Sequence, residues 1–140
     1  MKHASLQAPA KDVMNTRVMA VGPHALARDV ALHLLSGVFS GLPVIARDRA
    51  LLGVVTEFDL LKALEEGRDL DAVEAEAIMS KPPITVEEDT PIKAVIKRMT
   101  EANVLRVPVV REGKLVGVIS RSDLLDHLIA KRLIVAYGTL

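Results

Sequence analysis

The chain has 140 residues, within the size range of one compact domain; half of them are hydrophobic and only 2% are aromatic. Its 18 basic and 18 acidic residues cancel, so the basic excess that nucleic-acid binding normally requires is missing. The absence of cysteine excludes disulfides and thiolate metal sites, and no apolar run is long enough to cross a bilayer. The amino terminus is polar and lacks the apolar core of a signal peptide, so we expect a cytoplasmic protein.

In chain order, the first half of the sequence predicts a short strand, a helix, two strands and a closing helix. The turn residues Gly22-Pro23 follow the first extended segment, and apolar residues then recur at helical spacing. The predicted segments are an extended stretch at 18–21, a helix carrying Leu26, Val30 and Leu34, strands at 42–46 and 51–55, and a helix after Thr56.

The second half predicts the same elements in the same order. Gly67 is expected to end the closing helix of the first half. Asp89 or Thr90 is a natural N-cap for the next helix, and Pro91 fits its first turn. The predicted segments are an extended stretch at 84–86, a helix carrying Ile92, Val95, Ile96 and Met99, strands at 107–110 and 115–119, and a helix after Ser120.

A sequence repeat relates the two halves. Leu42-Pro43-Val44 matches Val107-Pro108-Val109, 65 residues later, and Val13-Met14 matches Ile78-Met79 at the same separation. Residues 53–61 match residues 117–125, 64 residues later. The one-residue difference falls in the predicted hairpin turn, where length varies at little cost. The repeat therefore predicts two similar halves that pair into one unit.

The repeated pattern is an apolar-Pro-Val strand followed by Gly-apolar-apolar-Thr/Ser-x-x-Asp-Leu-Leu. This pattern resembles the CBS domain, named after cystathionine β-synthase, and the pair resembles a Bateman module. The resemblance implies a mixed α/β (α+β) fold, a tandem CBS-domain pair whose two β-α-β-β-α halves are related by a pseudo-twofold axis. The expected boundaries are a first CBS domain at 11–66, a linker at 67–77, a second CBS domain at 78–130 and a carboxy-terminal extension at 131–140.

The resemblance also implies regulation. CBS pairs commonly bind AMP, ADP, ATP or S-adenosylmethionine in clefts between the halves, and they control another protein. We therefore expect an adenine-nucleotide sensor without a cofactor or metal, which acts on an unknown regulated protein and has no nucleic-acid or membrane partner. The alternative is a module that binds no ligand and only dimerises or docks onto a partner. The sequence disfavours an enzyme because it contains no nucleophile elbow and no histidines at metal-ligand spacing.

Two hydroxyl–carboxylate pairs carry the predicted binding chemistry: Thr56 with Asp59, and Ser120 with Asp123. Each pair has the spacing of a capping box, in which side chains satisfy the free N–H groups at a helix start. A carboxylate at a helix start can also accept both hydroxyls of a ribose, while the backbone N–H groups face a phosphate. Because the pair occurs in both halves, we expect it to serve both roles.

On the family's pattern, each ligand site takes residues from both halves. In the first site, Asp123 would hold the ribose and the guanidinium of Arg106 would fork onto a phosphate. The residues implied for this site are Met19, Ala20, Phe39, Ser40, Arg106, Val118, Ser120, Arg121 and Asp123. Those implied for the second site are Ile84, Thr85, Val104, Leu105, Val54, Thr56 and Asp59.

The two sites are expected to differ in charge. Gly41 stands at the position that corresponds to Arg106, and Glu57 at the position that corresponds to Arg121. The Asp123 site therefore has two cations near the predicted phosphate position. We expect the Asp59 site to bind more weakly or to prefer a less anionic ligand.

Repeated leucine pairs predict self-association. Leu60-Leu61 and Leu124-Leu125 lie on the two closing helices, and residues 133–136 form an apolar tail. Exposed apolar patches of this kind usually mark an interface. We therefore expect a homodimer.

Overall fold

The structure of the chain, a computed structural model, describes residues 6–37 and 40–129. These residues form two compact units. The first unit contains the described part of 17–84 together with the short segment 112–115. The second unit contains residues 6–16, 85–111 and 116–129. The units do not follow the two sequence halves strictly, because the amino-terminal segment belongs to the second unit.

The first unit combines a β-hairpin with three helices. The antiparallel strands run from Gly41 opposite Thr56 to Ile45 opposite Leu51. The extended stretch predicted at 18–21 is reduced to a single parallel bridge, between Val21 and Val44. The elements are α1 (Ala27–Leu35), β1 (Gly41–Ile45), β2 (Leu51–Thr56), α2 (Glu57–Glu65) and α3 (Ala75–Ile78).

The core of the first unit is aliphatic. In α1 the buried side chains recur at helical spacing, so one face of the helix covers the hairpin. The hairpin and the two later helices supply the other wall of this core. Its buried members are Ala27, Val30, Leu34, Leu42, Val44, Val55, Leu60 and Ala75.

The second unit repeats this plan around a three-stranded sheet of order β3-β4-β5, in which β3 is parallel to β4. Strand β5 begins in the segment 112–115 of the first unit and continues into the second. The first helix of this unit ends at Asn103, whose φ of 53° is the left-handed conformation common after a helix. The elements are β3 (Val86–Glu87), α4 (Ile92–Ala102), β4 (Arg106–Arg111), β5 (Lys114–Ser120) and α5, residues 121–129.

The predicted order of elements, β-α-β-β-α in each half, is confirmed. Gly67 has a φ of 78° directly after the end of α2, as predicted for a helix stop. The predicted N-cap of α4 is wrong: Pro91 takes that position, and no side chain caps the helix. The reason is that the N–H of Ile92, which a side chain at Thr90 would accept as a cap, donates instead to the carbonyl of Ala8 at 2.9 Å. Ala75, inside the segment predicted as a linker, is fully buried.

Two glycines allow methionines to lie against the second strand of each hairpin. A Cβ atom at Gly53 would lie 2.7 Å from Sδ of Met79, and one at Gly117 would lie 2.6 Å from Sδ of Met14. Both methionines belong to the Val/Ile-Met pair of the sequence repeat. The glycine and the methionine of each repeat therefore form one contact, in which the methionine packs where the glycine has no side chain.

The leucine pairs of α2 and α5 divide between core and surface. Leu60 and Leu124 are buried, whereas Leu61 is 59% exposed and Leu125 is 57% exposed. Phe58, also on α2, is 83% exposed. Among the described helices, none has both the length and the apolar character needed to span a membrane. The predicted apolar tail at 133–136 lies outside the described residues.

Candidate functional site

The start of α2 in the first unit is a complete capping box. The Oδ2 atom of Asp59 accepts hydrogen bonds from the backbone N–H of Thr56 at 2.8 Å and from its hydroxyl at 3.0 Å. In return, the N–H of Asp59 donates to Oγ1 of Thr56 at 3.3 Å. The hydroxyl of Ser80 donates to the second carboxylate oxygen, Oδ1, at 2.8 Å. Both oxygens of Asp59 are therefore engaged within the protein.

The start of α5 in the second unit is also a capping box, but only one of the two carboxylate oxygens of Asp123 accepts a hydrogen bond from the described residues there. The N–H of Ser120 donates to Oδ2 of Asp123 at 2.9 Å, and the N–H of Asp123 donates to Oγ of Ser120 at 3.0 Å. Over residues 6–37 and 40–129, no hydrogen bond reaches Oδ1 of Asp123. The capping role predicted for both pairs is confirmed, and the two carboxylates differ in what remains available.

The difference arises from the segment that pairs with each hairpin. Ser80 forms an antiparallel bridge with Val54, and Asn15, the corresponding residue, forms one with Val118. The backbone pairing is thus the same in both units. The side chains differ, because a serine hydroxyl stands where the other unit has an asparagine amide.

The residues predicted for the first site fall into two groups. Met19, Ala20 and Ser40 belong to the first unit, and Phe39 lies outside the described residues. In the second unit, the N–H of Arg121 donates to the carbonyl of Leu105 at 3.0 Å, so the start of α5 lies against the residue before Arg106. The second unit therefore brings together five predicted residues: Arg106, Val118, Ser120, Arg121 and Asp123.

The residues predicted for the second site are divided in the same way. Val54, Thr56, Asp59 and Ile84 belong to the first unit. Thr85, Val104 and Leu105 belong to the second. That each ligand site takes residues from both halves stays a prediction.

A groove of about 360 Å³ beside Asp59 contains cations that the sequence comparison of the two halves did not reveal. Lys62 lies one turn after Asp59 on α2, while Arg68 follows that helix and Lys81 follows Ser80. The guanidinium of Arg68 donates to the carbonyl of Ala77 at 3.3 Å. The sequence pattern could have placed only Lys62 near Asp59, because both residues lie on the predicted helix after Thr56. Arg68 and Lys81 come from segments with no helical or strand pattern.

A second polar cluster lies elsewhere in the first unit. Nδ1 of His24 is 3.1 Å from Oε1 of Glu74 and 3.7 Å from Oε1 of Glu76. The hydrogen bond that His24 donates to Glu74 and the negative charges of both glutamates raise the pKa of His24 above its ordinary value. The sequence predicted no metal site, because histidine spacing alone does not show that a loop brings His24 to Glu74, which lies 50 residues later, and to the nearby Glu76.

The sequence model of the CBS domain matches residues 10–66 and 75–130, more than half of the chain. The protein therefore belongs to the CBS-domain family and carries two CBS domains in tandem. It is 31% identical over 120 residues to hypoxic response protein 1 of Mycobacterium tuberculosis, covering 85% of this chain and 84% of that protein. It is 31% identical over 117 residues to the uncharacterized protein MK0525 of Methanopyrus kandleri, but spans only 60% of that protein.

Solved structures of CBS proteins share the fold. The crystal structure of Hypoxic Response Protein I with two coordinated zinc ions aligns with a TM-score of 0.78 and 30% identity, over 86% of this chain and 99% of that one. The complex of CBSX2 with AMP aligns with a TM-score of 0.77 and 26% identity, over 89% and 98%. The CBS pair of MJ0100 with 5′-methylthioadenosine and S-adenosyl-L-methionine gives 0.71 and 26%, over 91% and 99%.

Proposed function

We propose that the chain is a regulatory module that binds an adenine nucleotide and performs no reaction of its own. The observation that carries this proposal is the start of α5. There Asp123 caps the helix through Oδ2, while Oδ1 has no hydrogen-bond partner in the described ranges. A carboxylate oxygen with free lone pairs is suited to accept a hydrogen bond from a ribose hydroxyl.

The ligands named for two relatives support an adenosine-containing ligand. AMP, 5′-methylthioadenosine and S-adenosyl-L-methionine all contain adenosine. They therefore share a ribose with two adjacent hydroxyl groups, which is the group that an acceptor carboxylate recognises.

The cations of the second unit favour a phosphorylated adenosine. Arg106 and Arg121 belong to neighbouring backbone segments, which the hydrogen bond from Arg121 to Leu105 holds together. A guanidinium binds phosphate oxygens with two parallel hydrogen bonds. S-adenosylmethionine carries a cationic sulfonium instead, so we favour AMP, ADP or ATP as the ligand.

Calorimetric titration with AMP, ADP, ATP and S-adenosylmethionine tests the proposal. We expect Asp123→Asn to weaken nucleotide binding about tenfold to more than a hundredfold, because a hydrogen bond to a charged group is worth about 1.5–3 kcal/mol. The amide oxygen of asparagine can still accept the N–H of Ser120, so the variant should remain folded. Asp59→Asn is the matched control at the equivalent position.

A modified ligand separates ribose recognition from a general loss of binding. The 2′-deoxy form of AMP should bind the natural protein more weakly than AMP. Its affinity for Asp123→Asn should be close to that of AMP, because the acceptor is already lost. Binding of no nucleotide to the natural protein would contradict the proposal.

The exposed apolar face of α2 supports a second candidate, a module that only dimerises or docks onto a partner. Phe58 and Leu61 on this helix are 83% and 59% exposed. Large exposed apolar side chains grouped on one element are typical of an interface. A chain that binds no adenine ligand but self-associates through this face would have this second function.

A further inference from the structure

His24, Glu74 and Glu76 form a surface group in the first unit, the His24 cluster, which the proposed nucleotide site does not use. Each side chain offers one metal-ligand atom, and the three atoms lie within 4.8 Å of one another. The donors are one imidazole nitrogen and two carboxylate oxygens. The cluster thus has a mixed donor set, unlike the all-carboxylate groups that are common on protein surfaces.

The backbone holds the two segments of the cluster in place. The N–H of Glu76 donates to the carbonyl of Pro23 at 3.0 Å, and the N–H of Ala75 donates to the carbonyl of Ala25 at 2.8 Å. Residues Leu26 and Glu74 add an antiparallel bridge. Ala75 is fully buried, so this connection is anchored in the core. The three side chains therefore start from fixed positions, which reduces the ordering that a bound ion requires.

The spacing of the donor atoms fits a small divalent ion. Zinc bonds of about 2.0–2.2 Å to nitrogen and oxygen in a tetrahedral site place neighbouring donors roughly 3.3–3.6 Å apart. The separations from Nδ1 of His24 to the two glutamate oxygens are 3.1 and 3.7 Å. These two distances bracket the tetrahedral value. The third separation, between the two glutamate oxygens, is at most 4.8 Å, so closing on a tetrahedral ion requires mainly an adjustment of the glutamate side chains.

The charge of the cluster also suits a divalent cation. With a neutral imidazole, the two carboxylates carry a charge of −2, which a divalent ion balances. Histidine together with carboxylates favours zinc and similar transition ions, whereas magnesium and calcium prefer oxygen ligands alone. The His24 side chain is 74% exposed, which leaves water free to fill the remaining coordination positions.

We propose that the His24 cluster is a binding site for a divalent transition-metal ion of the zinc class. Nδ1 of His24 and one oxygen each from Glu74 and Glu76 are the protein ligands, and water completes the coordination. The ion takes the place of the proton that His24 shares with Glu74. It connects the loop before α1 to the start of α3 and uses none of the residues proposed to bind the nucleotide.

Competition with protons is expected for this arrangement. A metal binds an imidazole only in its neutral form and a carboxylate only in its ionised form. The zinc affinity of the His24 cluster should therefore fall as the pH is lowered.

Calorimetric titration of the full chain with zinc chloride tests the proposal. We expect a site of one zinc per chain whose affinity depends on His24, Glu74 and Glu76. His24→Ala and Glu76→Gln should each weaken that site at least tenfold, since even the residues that orient metal ligands matter by about 10–100-fold. Magnesium should not compete.

The chain offers matched controls. His33→Ala and His127→Ala change exposed histidines outside the cluster and should leave the zinc affinity unchanged. A thermal melt in the presence of a chelator should show that every variant is folded. The proposal is overturned if zinc gives no heat of binding, or if His24→Ala and Glu76→Gln bind zinc as the natural chain does. The second outcome would mean that the His24 cluster is only a solvated ion pair.

Discussion

Asp59 and Asp123 occupy equivalent positions in the repeat, yet their carboxylates accept different sets of hydrogen bonds. Ser80 occupies Oδ1 of Asp59, and no described residue does the same for Asp123. A ligand at Asp59 has to share Oδ1 with Ser80 or displace it, which reduces the net gain from binding. This residue-level difference favours Asp123 as the stronger ribose acceptor, independently of the arginines nearby.

Replacement of Arg106 tests the predicted asymmetry of the two sites. Arg106→Ala should weaken AMP binding about tenfold to more than a hundredfold through the loss of a charged hydrogen bond. Arg106→Lys should recover only part of it, because lysine keeps the charge and loses the fork. Arg111→Ala, at the other end of β4, is the control in the same calorimetric titration. Loss of AMP binding in Asp59→Ala with no effect of Arg106→Ala would reverse the assignment.

The contact between His24 and Glu74 predicts a pH-dependent contribution to stability. The folded protein raises the pKa of His24 above 6.5, so the charged imidazole stabilises the folded state. This contribution is complete below pH 6.5 and disappears as the pH rises through the folded pKa. In a metal-free buffer, the stability difference between the natural chain and His24→Ala should shrink from pH 5.5 to pH 8.5. Urea titrations measure it; an unchanged difference would contradict the assignment.

At the scale of the elements, the glycine–methionine contact predicts which small substitutions each hairpin tolerates. A Cβ at Gly53 would lie 2.8 Å from the backbone oxygen of Ser80, which cannot move as a side chain can. Gly53→Ala should therefore destabilise by about 1–3 kcal/mol, typical of overpacking. Gly117→Ala should cost less, because the nearest backbone atom to its Cβ, the carbonyl oxygen of Asn15, is 3.1 Å away. Gly22→Ala meets nothing within 4 Å and serves as the control in urea unfolding.

The sequence predicted the elements whose signals are local. Short apolar runs on either side of a turn of variable length marked the hairpins, and the Thr56 and Ser120 motifs marked two helix starts that proved to be capping boxes. The predicted cap of α4 was wrong because the N–H of Ile92, which a side chain at Thr90 would have accepted, donates to the distant carbonyl of Ala8. The engagement of Asp59 by Ser80 and of His24 by Glu74 joins residues far apart in sequence, and no periodic pattern records such pairs.

For the whole molecule, the exposed leucines predict how the chain self-associates. Leu61 and Leu125 are equivalent in the repeat and similarly exposed, so α2 and α5 offer comparable apolar faces. Leu61→Glu combined with Leu125→Glu should convert dimers to monomers, because a buried unpaired charge is unfavourable at an interface. Leu32→Glu, on α1, is an equally exposed control. Sedimentation equilibrium at micromolar concentration measures the outcome, and a monomeric natural chain would contradict the prediction.

Each unit contains a short segment from the other half of the sequence, which limits where the chain can be cut without damage to both units. The first unit contains residues 112–115, where the carbonyl of Gly113 accepts the N–H of Leu51 at 3.1 Å. The second contains residues 6–16, which hydrogen-bond to the segment before α4. A cut between the repeats removes a piece of each unit and leaves backbone groups without partners. We therefore expect the pair of repeats, and not one repeat alone, to fold stably, because each repeat lacks a segment that completes its unit.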